Sequence, residues 1–231
     1  MQRYLIVIPA HNEEHAIGAV VSRCRQVLLE ADVVVVDDAS TDGTARRAHR
    51  AGSLVIRHPF KLGAWLAIHT GMRFATRHGY QAMITLDADG QHLPSHLPDL
   101  LAPLEKGEAE VVIGACPRRL SKQRRFTCWF WRKLTGIGIR DLTSGFRAYS
   151  SKALAFLCAD HHVLLDYQDL GVLLALYRAG FRIKEIPVEM KDRLVGHSRV
   201  FSSWWDVFRY LIHTGFLGLA KQGRRMQGSS R

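Results

Sequence analysis

The feature that most constrains the fold is an alternation, over the first 114 residues, of short apolar runs with segments of helical hydrophobic spacing. Residues 4–9 and 33–36 are continuous apolar runs, which are typical of strands buried on both faces of a sheet. Residues 13–29 lie between them and repeat apolar side chains at the spacing of one helix face. This order predicts an α/β fold with a Rossmann-like, mostly parallel sheet in a three-layer sandwich. Further strands are predicted at 54–56, 82–86, 111–113 and 181–189, and further helices at 62–78, 94–104, 170–179 and 201–219.

Polar residues follow three of the predicted strands at the point where each strand ends. They are residues 11–13, 37–40 and 87–91. Parallel strands bring their carboxyl ends to one edge of a sheet, and open α/β sheets bind ligands in the crevice at that edge. The sequence therefore predicts one ligand site built from three loops.

The third of these loops carries a candidate metal site. Asp87 and Asp89 are two residues apart after a buried strand, and Gln91 follows at the same spacing. Mg²⁺ and Mn²⁺ prefer oxygen ligands of this kind, and the phosphates of a substrate can complete the coordination. The alternative is a simple turn, in which Asp-Gly is common. The position at a strand end favours metal binding.

Three other signals each have two interpretations. One of Asp37 and Asp38 is expected to accept hydrogen bonds from a nucleotide base or ribose while the other caps the next turn, although both could be caps. Residues 61–64 precede a helix and suit either a phosphate or tight packing. Residues 11–15 match the H-x-x-E-H spacing of a zinc protease, but that site needs both histidines on one helix, and Pro9 ends a strand just before them.

The charge of the chain is concentrated in its second half. The 231 residues carry a net charge of +11; residues 1–114 hold 11 Lys/Arg and 13 Asp/Glu, whereas residues 115–231 hold 21 and 8. A basic half needs an anionic partner, such as anionic lipid, phosphate-bearing ligands or nucleic acid. No nucleic-acid motif is present, so we expect no nucleic-acid partner.

Aromatic side chains are interleaved with the basic ones at 115–140 and 201–219. Such segments suit an anionic membrane surface, and the alternative is that their apolar faces pack on the α/β core. No apolar run reaches 18 residues, so we expect no transmembrane helix. The four cysteines form no C-x-x-C pair, which predicts reduced thiols and a cytoplasmic protein.

Five motifs, taken in their order along the chain, resemble those of family 2 glycosyltransferases of GT-A fold, and among them the dolichyl- and polyprenyl-phosphate mannose synthases. The resemblance runs from Ile6 to about Ser198. It predicts a GT-A domain over 1–200, an amphipathic membrane-interface region at 201–222 and a disordered tail at 223–231. The motifs are residues 8–14, 36–44, 87–92, 141–147 and 193–198.

The resemblance also implies a role for each matching residue. The base and ribose of a nucleotide-sugar would be held by Pro9, His11, Glu13, Val35 and Asp37. Mg²⁺ or Mn²⁺ would be held by Asp87, Asp89 and Gln91, and the donor diphosphate would meet Arg193. The phosphate of the acceptor would be received by Arg118, Arg140 and Ser144. For a hydroxyl acceptor, the candidate bases are Asp141, Asp166 and Asp169.

The resemblance implies a metal-dependent, inverting transferase that moves a sugar from a UDP- or GDP-sugar to a polyprenyl phosphate at the cytoplasmic face of the membrane. The alternative is transfer to a hydroxyl of a glycan or a lipid-linked saccharide, and a less favoured one is a non-catalytic basic module that binds membranes or RNA. Two departures from the family pattern concern the acceptor and the third helix. Gly171 stands where many relatives carry Glu, and residues 57–61 replace a familiar Asn. Many relatives also carry C-terminal membrane spans, for which the 201–219 stretch would substitute.

Overall fold

The computed structural model describes residues 3–116, 122–136, 138–159 and 170–191. The strands within these ranges are β1 (Tyr4–Ala10), β2 (Ala31–Asp37), β3 (Leu54–Arg57), β4 (Ala82–Thr85), β5 (Val111–Ala115), β6 (Arg147–Ser150) and β7 (Ile183–Pro187). The α-helices are α1 (Ile17–Val27), α2 (Thr44–Arg50), α3 (Ala64–Arg77), α4 (Leu97–Glu105), α5 (Lys122–Thr135), α6 (Ser151–Leu157) and α7 (Leu170–Arg178). A 3₁₀ turn at Pro94–His96 leads into α4.

The seven described strands form one sheet in the order β3-β2-β1-β4-β6-β5-β7. All neighbours pair in parallel except β6, which is antiparallel to both β4 and β5. The prediction of a mostly parallel sheet is confirmed. Strands β1, β2 and β4 therefore end at one edge, in the middle of the sheet, where the three polar loops begin.

Strand β6 was not predicted from the sequence. It is only four residues long and opens with Arg147, whose charge argues against a central strand. The structure buries Arg147 by directing its guanidinium to two carbonyl oxygens of the preceding loop, those of Ser144 at 2.7 Å and Leu142 at 3.0 Å. A buried charge is tolerated only when it is hydrogen-bonded in this way.

Helices cover both faces of the sheet and make the three predicted layers. Side chains alternate along β1, so that Ile6 and Ile8 pack with α1 and α4, and Leu5 and Val7 pack with α3, α6 and α7. A smaller cluster joins Cys128 of α5 to Leu173 of α7 beside β5. The central strands are buried on both faces, which explains their continuous apolar sequences.

Helix α1 begins at Ile17, four residues later than the 13–29 prediction. The backbone of the preceding residues is held instead by the loop after β2, since Thr44 Oγ1 accepts from Glu13 N at 2.8 Å. Tertiary contacts thus keep this stretch out of the helix.

Some predictions fall outside the described ranges. They are the amphipathic region at 201–222, the tail at 223–231 and the end of the proposed GT-A domain. Within the described ranges, no helix has the length and hydrophobicity needed to cross a bilayer.

The contact between α3 and β1 leaves no space for a side chain at Gly71. A Cβ there would lie 2.4 Å from Cγ1 of Val7, which is fully buried. Gly18 in α1 is a matched helical glycine whose Cβ would meet nothing within 4 Å.

We expect Gly71→Ala to lower the free energy of unfolding by about 1–3 kcal/mol, because overpacking forces β1 and α3 apart. Gly18→Ala is expected to leave it unchanged or to raise it slightly, since alanine favours helix. Urea unfolding of both variants and the wild type measures the difference. Equal stabilities for the two variants would contradict this packing.

Candidate functional site

Hydrogen bonds join the loop after β1 to the loop after β2. Asn12 N donates to Ser40 Oγ at 2.9 Å, and Thr41 N donates to Asn12 Oδ1 at 2.9 Å. Asn12 and Ala39 both have a φ of 56°, in the left-handed region that asparagine tolerates and alanine rarely adopts. The loops therefore hold each other in a defined and locally strained shape.

The remaining polar residues of the 36–44 motif support this arrangement. Asp42 Oδ1 accepts from the backbone N–H of Thr44 at 2.9 Å, and Gly43 N donates to Glu14 Oε2 at 3.0 Å. Burial raises the pKa of Asp42, but the hydrogen bonds from Thr44 and from the Glu14 backbone outweigh this effect and lower the pKa. These residues serve the loops rather than a ligand.

Asp38 ties the end of β2 to the start of α3. Its Oδ1 accepts from His58 Nδ1 at 2.9 Å and from Leu62 N at 2.8 Å, and its Oδ2 accepts from Gly63 N at 2.7 Å. Gly63 has a φ of 94°, which favours glycine. Burial alone raises the pKa of Asp38, and the three hydrogen bonds more than compensate, so the pKa is lowered. Asp38 thus holds the segment just before α3, and the Gly63 N–H donates to a carboxylate rather than to a phosphate.

Asp37 is fully buried behind the side chain of Arg57. Its Oδ1 accepts from Ser40 N at 3.1 Å, whereas its Oδ2 lies 3.0 Å from Arg57 Nε in an ion pair without a hydrogen bond. Arg57 Nη2 donates to Ser40 O at 2.7 Å. The arginine side chain is 60% exposed. At the paired ends of β2 and β3, the guanidinium of Arg57 is therefore exposed to solvent and the Asp37 carboxylate is not.

The other residues predicted to hold the base and ribose differ in access. His11 is partly buried and donates from Nδ1 to Asp38 O at 2.8 Å, which fixes the orientation of the ring. Pro9 and Glu13 are partly buried at and just beyond the end of β1. Val35 is fully buried in the core, and its contact with a nucleotide stays a prediction.

The residues predicted to bind a metal follow β4 at the same edge. The side chain of Asp87 is half exposed, and its backbone N–H donates to His92 Nδ1 at 3.1 Å. Asp89 Oδ1 accepts from Gln91 N at 3.0 Å, which makes a tight turn with Gly90 at a φ of 76°. Asp87 and Asp89 are therefore held at one end of a short, ordered turn.

The segment 141–147 packs against this turn. A Cβ on Gly145 would lie 3.0 Å from Asp87 Oδ1, and Gly145 O accepts from Thr85 Oγ1 at 2.8 Å. His92 stacks on Phe146 with ring centroids 4.9 Å apart. Glycine at 145 therefore keeps the space beside the Asp87 carboxylate open.

The predicted acceptor residues of this segment are engaged with the backbone. Asp141 Oδ1 accepts from Thr143 N at 3.2 Å and from Thr143 Oγ1 at 3.0 Å, and its Oδ2 accepts from Cys116 N at 3.4 Å. Ser144 Oγ donates to Gly114 O at 2.6 Å. Arg140 is exposed, and its backbone N–H donates to the Glu185 carboxylate.

Four predicted residues lie outside the described ranges: Arg118, Asp166, Asp169 and Arg193. Lys191, the last described residue, lies beside the turn at residues 87–91, since Lys191 N donates to Gln91 O at 2.8 Å.

Sequence reasoning missed Arg57 and Gly145 as parts of the site. Arg57 is the last residue of β3 and pairs in register with Asp37, so the strand-end rule could have found it. Gly145 carried no such signal, because its position beside Asp87 depends on the antiparallel insertion of β6.

The donor set at Asp87 and Asp89 fits a hard divalent cation whose coordination a ligand completes. In the ranges that the structure covers, no three His, Cys, Asp or Glu side chains gather into a group that could hold a metal without such help. The zinc-protease alternative is not supported, since His11 faces Asp38 O while the exposed His15 lies 3.6 Å from its neighbour Glu14.

Comparison with known proteins agrees with this geometry. Residues 5–158 match the family model described as Glycosyl transferase family 2. Over 216 residues the chain is 32% identical to the Undecaprenyl-phosphate mannosyltransferase of Micrococcus luteus, covering 86% of this chain and 87% of that protein. Over 222 residues it is 28% identical to the Polyprenol monophosphomannose synthase of Mycolicibacterium smegmatis, covering 87% and 82%.

A solved structure shares the fold. Glucosyl-3-phosphoglycerate synthase from Mycobacterium tuberculosis, in complex with Mn²⁺, uridine-diphosphate and phosphoglyceric acid, is similar with a TM-score of 0.67 at 20% identity. The match covers 84% of this chain and 72% of that one.

We expect Asp38→Asn to lower the free energy of unfolding at neutral pH by about 2 kcal/mol, because hydrogen bonds to a charged acceptor are lost. The Asp38 pKa is lowered in the folded state, so its contribution is present above the unfolded pKa of about 3.9 and is lost as the pH falls through the folded pKa. Urea unfolding at pH 7 and at about pH 3 measures both effects.

Asp99→Asn is the matched control, since the Asp99 side chain is 64% exposed. The difference between wild type and Asp38→Asn should shrink on acidification. A difference that stays constant down to about pH 3 would argue against a hydrogen-bonded carboxylate as its source.

Proposed function

Since the chain belongs to glycosyl transferase family 2 and has its GT-A fold, we propose that it transfers a sugar from a UDP- or GDP-sugar to a polyprenyl phosphate, with inversion at the anomeric carbon. The observation that carries the proposal is the turn that presents Asp87 and Asp89 at the same sheet edge as the loops after β1 and β2. The polyprenyl-phosphate acceptor is supported by the relatives from Micrococcus luteus and Mycolicibacterium smegmatis, an undecaprenyl-phosphate mannosyltransferase and a polyprenol monophosphomannose synthase.

The donor would lie along the carboxyl edge of the sheet. Its diphosphate belongs at the β4 end, beside Asp87 and Asp89, and its nucleoside at the loops after β1 and β2, where His11 and Glu13 lie. Bound Mg²⁺ or Mn²⁺, held by the two carboxylates and the Gln91 amide oxygen, would offset the negative charge that develops on the leaving diphosphate.

In the proposed reaction, an oxygen of the lipid phosphate forms a bond to the anomeric carbon while the bond from that carbon to the diphosphate breaks. The nucleoside diphosphate leaves with the bonding electrons. The acceptor oxygen is already anionic near neutral pH, so no proton has to be removed from it. The protein then has to position two anions, which Arg140 and the basic chain around it would do.

Asp141 is the one of the three candidate bases that lies within the described ranges, and its state favours this acceptor over a sugar hydroxyl. A hydroxyl nucleophile needs a general base. Both carboxylate oxygens of Asp141 already accept hydrogen bonds, Oδ1 from Thr143 and Oδ2 from Cys116 N, and the residue is buried. It is thus suited to shaping the loop rather than to taking a proton.

Peripheral binding at the cytoplasmic face of the membrane is part of the proposal. Helix α5 has five basic and no acidic residues, and Trp129 is exposed next to exposed Arg125, Arg132 and Lys133. Its Cys128 packs toward the core, so that one side of the helix faces inward and the other outward. Aromatic and basic side chains together suit the headgroup region of an anionic bilayer.

The first test is a transfer assay with a panel of UDP- and GDP-sugars, Mg²⁺ or Mn²⁺, and a short polyprenyl phosphate. We expect lipid-dependent release of the nucleoside diphosphate that stops on chelation. Asp89→Asn should reduce the rate at least about 100-fold, because it weakens a ligand of the metal that offsets the charge on the leaving diphosphate. Asp99→Asn is the matched control and should behave as wild type.

Turnover without lipid dependence would favour the hydroxyl-acceptor alternative. If wild type shows neither turnover nor metal-dependent nucleotide binding, the enzyme proposal is wrong and a basic membrane-binding module becomes the better explanation.

Gly145→Ala tests the link between the 141–147 segment and the metal site. Because the new Cβ would lie 3.0 Å from Asp87 Oδ1, the carboxylate has to shift by a few tenths of an ångström. We expect the metal concentration for half-maximal activity to rise about tenfold, with little change in melting temperature. An unchanged metal requirement would argue against the proposed link between Gly145 and a metal held by Asp87.

A further inference from the structure

Arg57 occupies the position at which a nucleoside would meet the sheet edge. It ends β3 and pairs in register with Asp37 at the end of β2. The strand order from β3 to β4 is β3-β2-β1-β4, so Arg57 is three strand spacings, about 14 Å, from the end of β4. This separation exceeds the length of a diphosphate. A donor whose diphosphate lies at Asp87 would therefore present its nucleoside, not its phosphates, to Arg57.

The guanidinium of Arg57 is held in place on one side. Its Nε lies 3.0 Å from Asp37 Oδ2, and its Nη2 donates to Ser40 O at 2.7 Å. Asp37 is itself fixed, since its Oδ1 accepts from Ser40 N. The two Arg57 contacts involve Nε and Nη2 of the guanidinium. Since the Arg57 side chain is 60% exposed, its other N–H groups are accessible to a ligand.

Asp37, in contrast, has no exposed surface. A ligand that approaches the paired ends of β2 and β3 reaches the guanidinium before it reaches the carboxylate. The buried Asp37 Oδ2 has no hydrogen bond of its own, and its charge is balanced by Arg57. An unpaired buried carboxylate is costly, so moving Arg57 away from Asp37 is unfavourable.

We propose that Arg57 is the residue that contacts the donor base, and that Asp37 acts behind it as a positioning residue. This inference rests on the proposed function and goes further, since it assigns base recognition to a residue outside the family motifs. The chemistry selects the kind of base. Arginine has only donors, which pair with the carbonyl oxygens of uracil or with O6 and N7 of guanine. Adenine carries an amino group in place of a carbonyl.

The test is calorimetric binding of UDP, GDP, ADP and ribose 5-diphosphate, with Mg²⁺ or Mn²⁺ present, to wild type, Arg57→Ala and Arg57→Lys. Ribose 5-diphosphate keeps the phosphates and the sugar but has no base. We expect wild type to bind UDP or GDP more tightly than ADP. Arg57→Ala should weaken the binding of that nucleotide about tenfold, which corresponds to the loss of one charge-assisted hydrogen bond. It should change the affinity for ribose 5-diphosphate by less than about twofold.

Arg50→Ala is the matched control, since Arg50 is an exposed arginine at the end of α2. It should bind every probe as wild type does. Arg57→Lys keeps the positive charge but loses the planar pair of guanidinium N–H donors. It is expected to recover part of the affinity for the nucleotide that Arg57→Ala loses. In the transfer assay, Arg57→Ala should raise the KM for the donor about tenfold with kcat within about twofold.

Asp37→Asn separates the two roles. If Asp37 acts through Arg57, Asp37→Asn should weaken binding of the same nucleotide in the wild-type background. It should have little further effect on that binding in the Arg57→Ala background. If the effects of the two substitutions add, Asp37 contacts the nucleotide itself and the proposed order of the two residues is wrong. Melting temperatures of all variants show whether they fold.

Two results would overturn the role of Arg57 and leave the proposed function intact. One is unchanged binding of UDP and GDP by Arg57→Ala, and the other is an equal loss for ribose 5-diphosphate, which indicates a general loosening of the site. If wild type binds no nucleoside diphosphate at all, the proposed function and this inference fail together.

Discussion

The parallel pairing of β1 with β2 on one side and with β4 on the other is the constraint on which the rest of the structure depends. It brings three strand ends to one edge, so that side chains far apart in sequence share a crevice. The apolar parts of these strands are buried between two helical layers, and a one-residue shift would exchange the side chains that pack against one layer with those that pack against the other, so the packing fixes their register. The polar loops are thus placed by the hydrophobic core beneath them.

The acidic residues of the site differ in what their oxygens accept and in how far they are exposed. Asp38, Asp42 and Asp141 accept hydrogen bonds from nearby backbone groups, and they hold the loops in shape. Asp87 is half exposed and faces the space that Gly145 leaves open. A buried carboxylate without partners would be costly, so the loop-holding acids need these donors. Asp37 is an intermediate case, buried like Asp38 and Asp141 but balanced by the exposed Arg57.

Much of this site could be predicted because it rests on local signals. The continuous valine run of β2 and the Asp-x-Asp turn after β4 both gave correct placements at the sheet edge. One of Asp37 and Asp38 was expected to cap the next turn, and Asp37 accepts from Ser40 N there, but the sequence did not show that Asp38 binds the backbone of residues 62 and 63, nor that Arg57 covers Asp37. Those facts depend on the register of β3 against β2 and on the path of residues 58–63. Strand β6 escaped prediction because its charged first residue is neutralised by carbonyl oxygens of its own loop.

The sequence by itself determined the layered α/β fold, the edge at which the site lies and the residue types that suit a metal and a diphosphate, since hydrophobic periodicity and strand-end chemistry are local properties of the chain. The tertiary structure decided which carboxylates are exposed at the sheet edge and which are used to hold loops. It also decided that Val35 is buried in the core, that Arg57 faces solvent in front of Asp37, and that Gly145 lies beside Asp87. The physical reason is that hydrogen-bond partners and burial are set by segments distant in sequence, whose approach depends on how the strands order in the sheet.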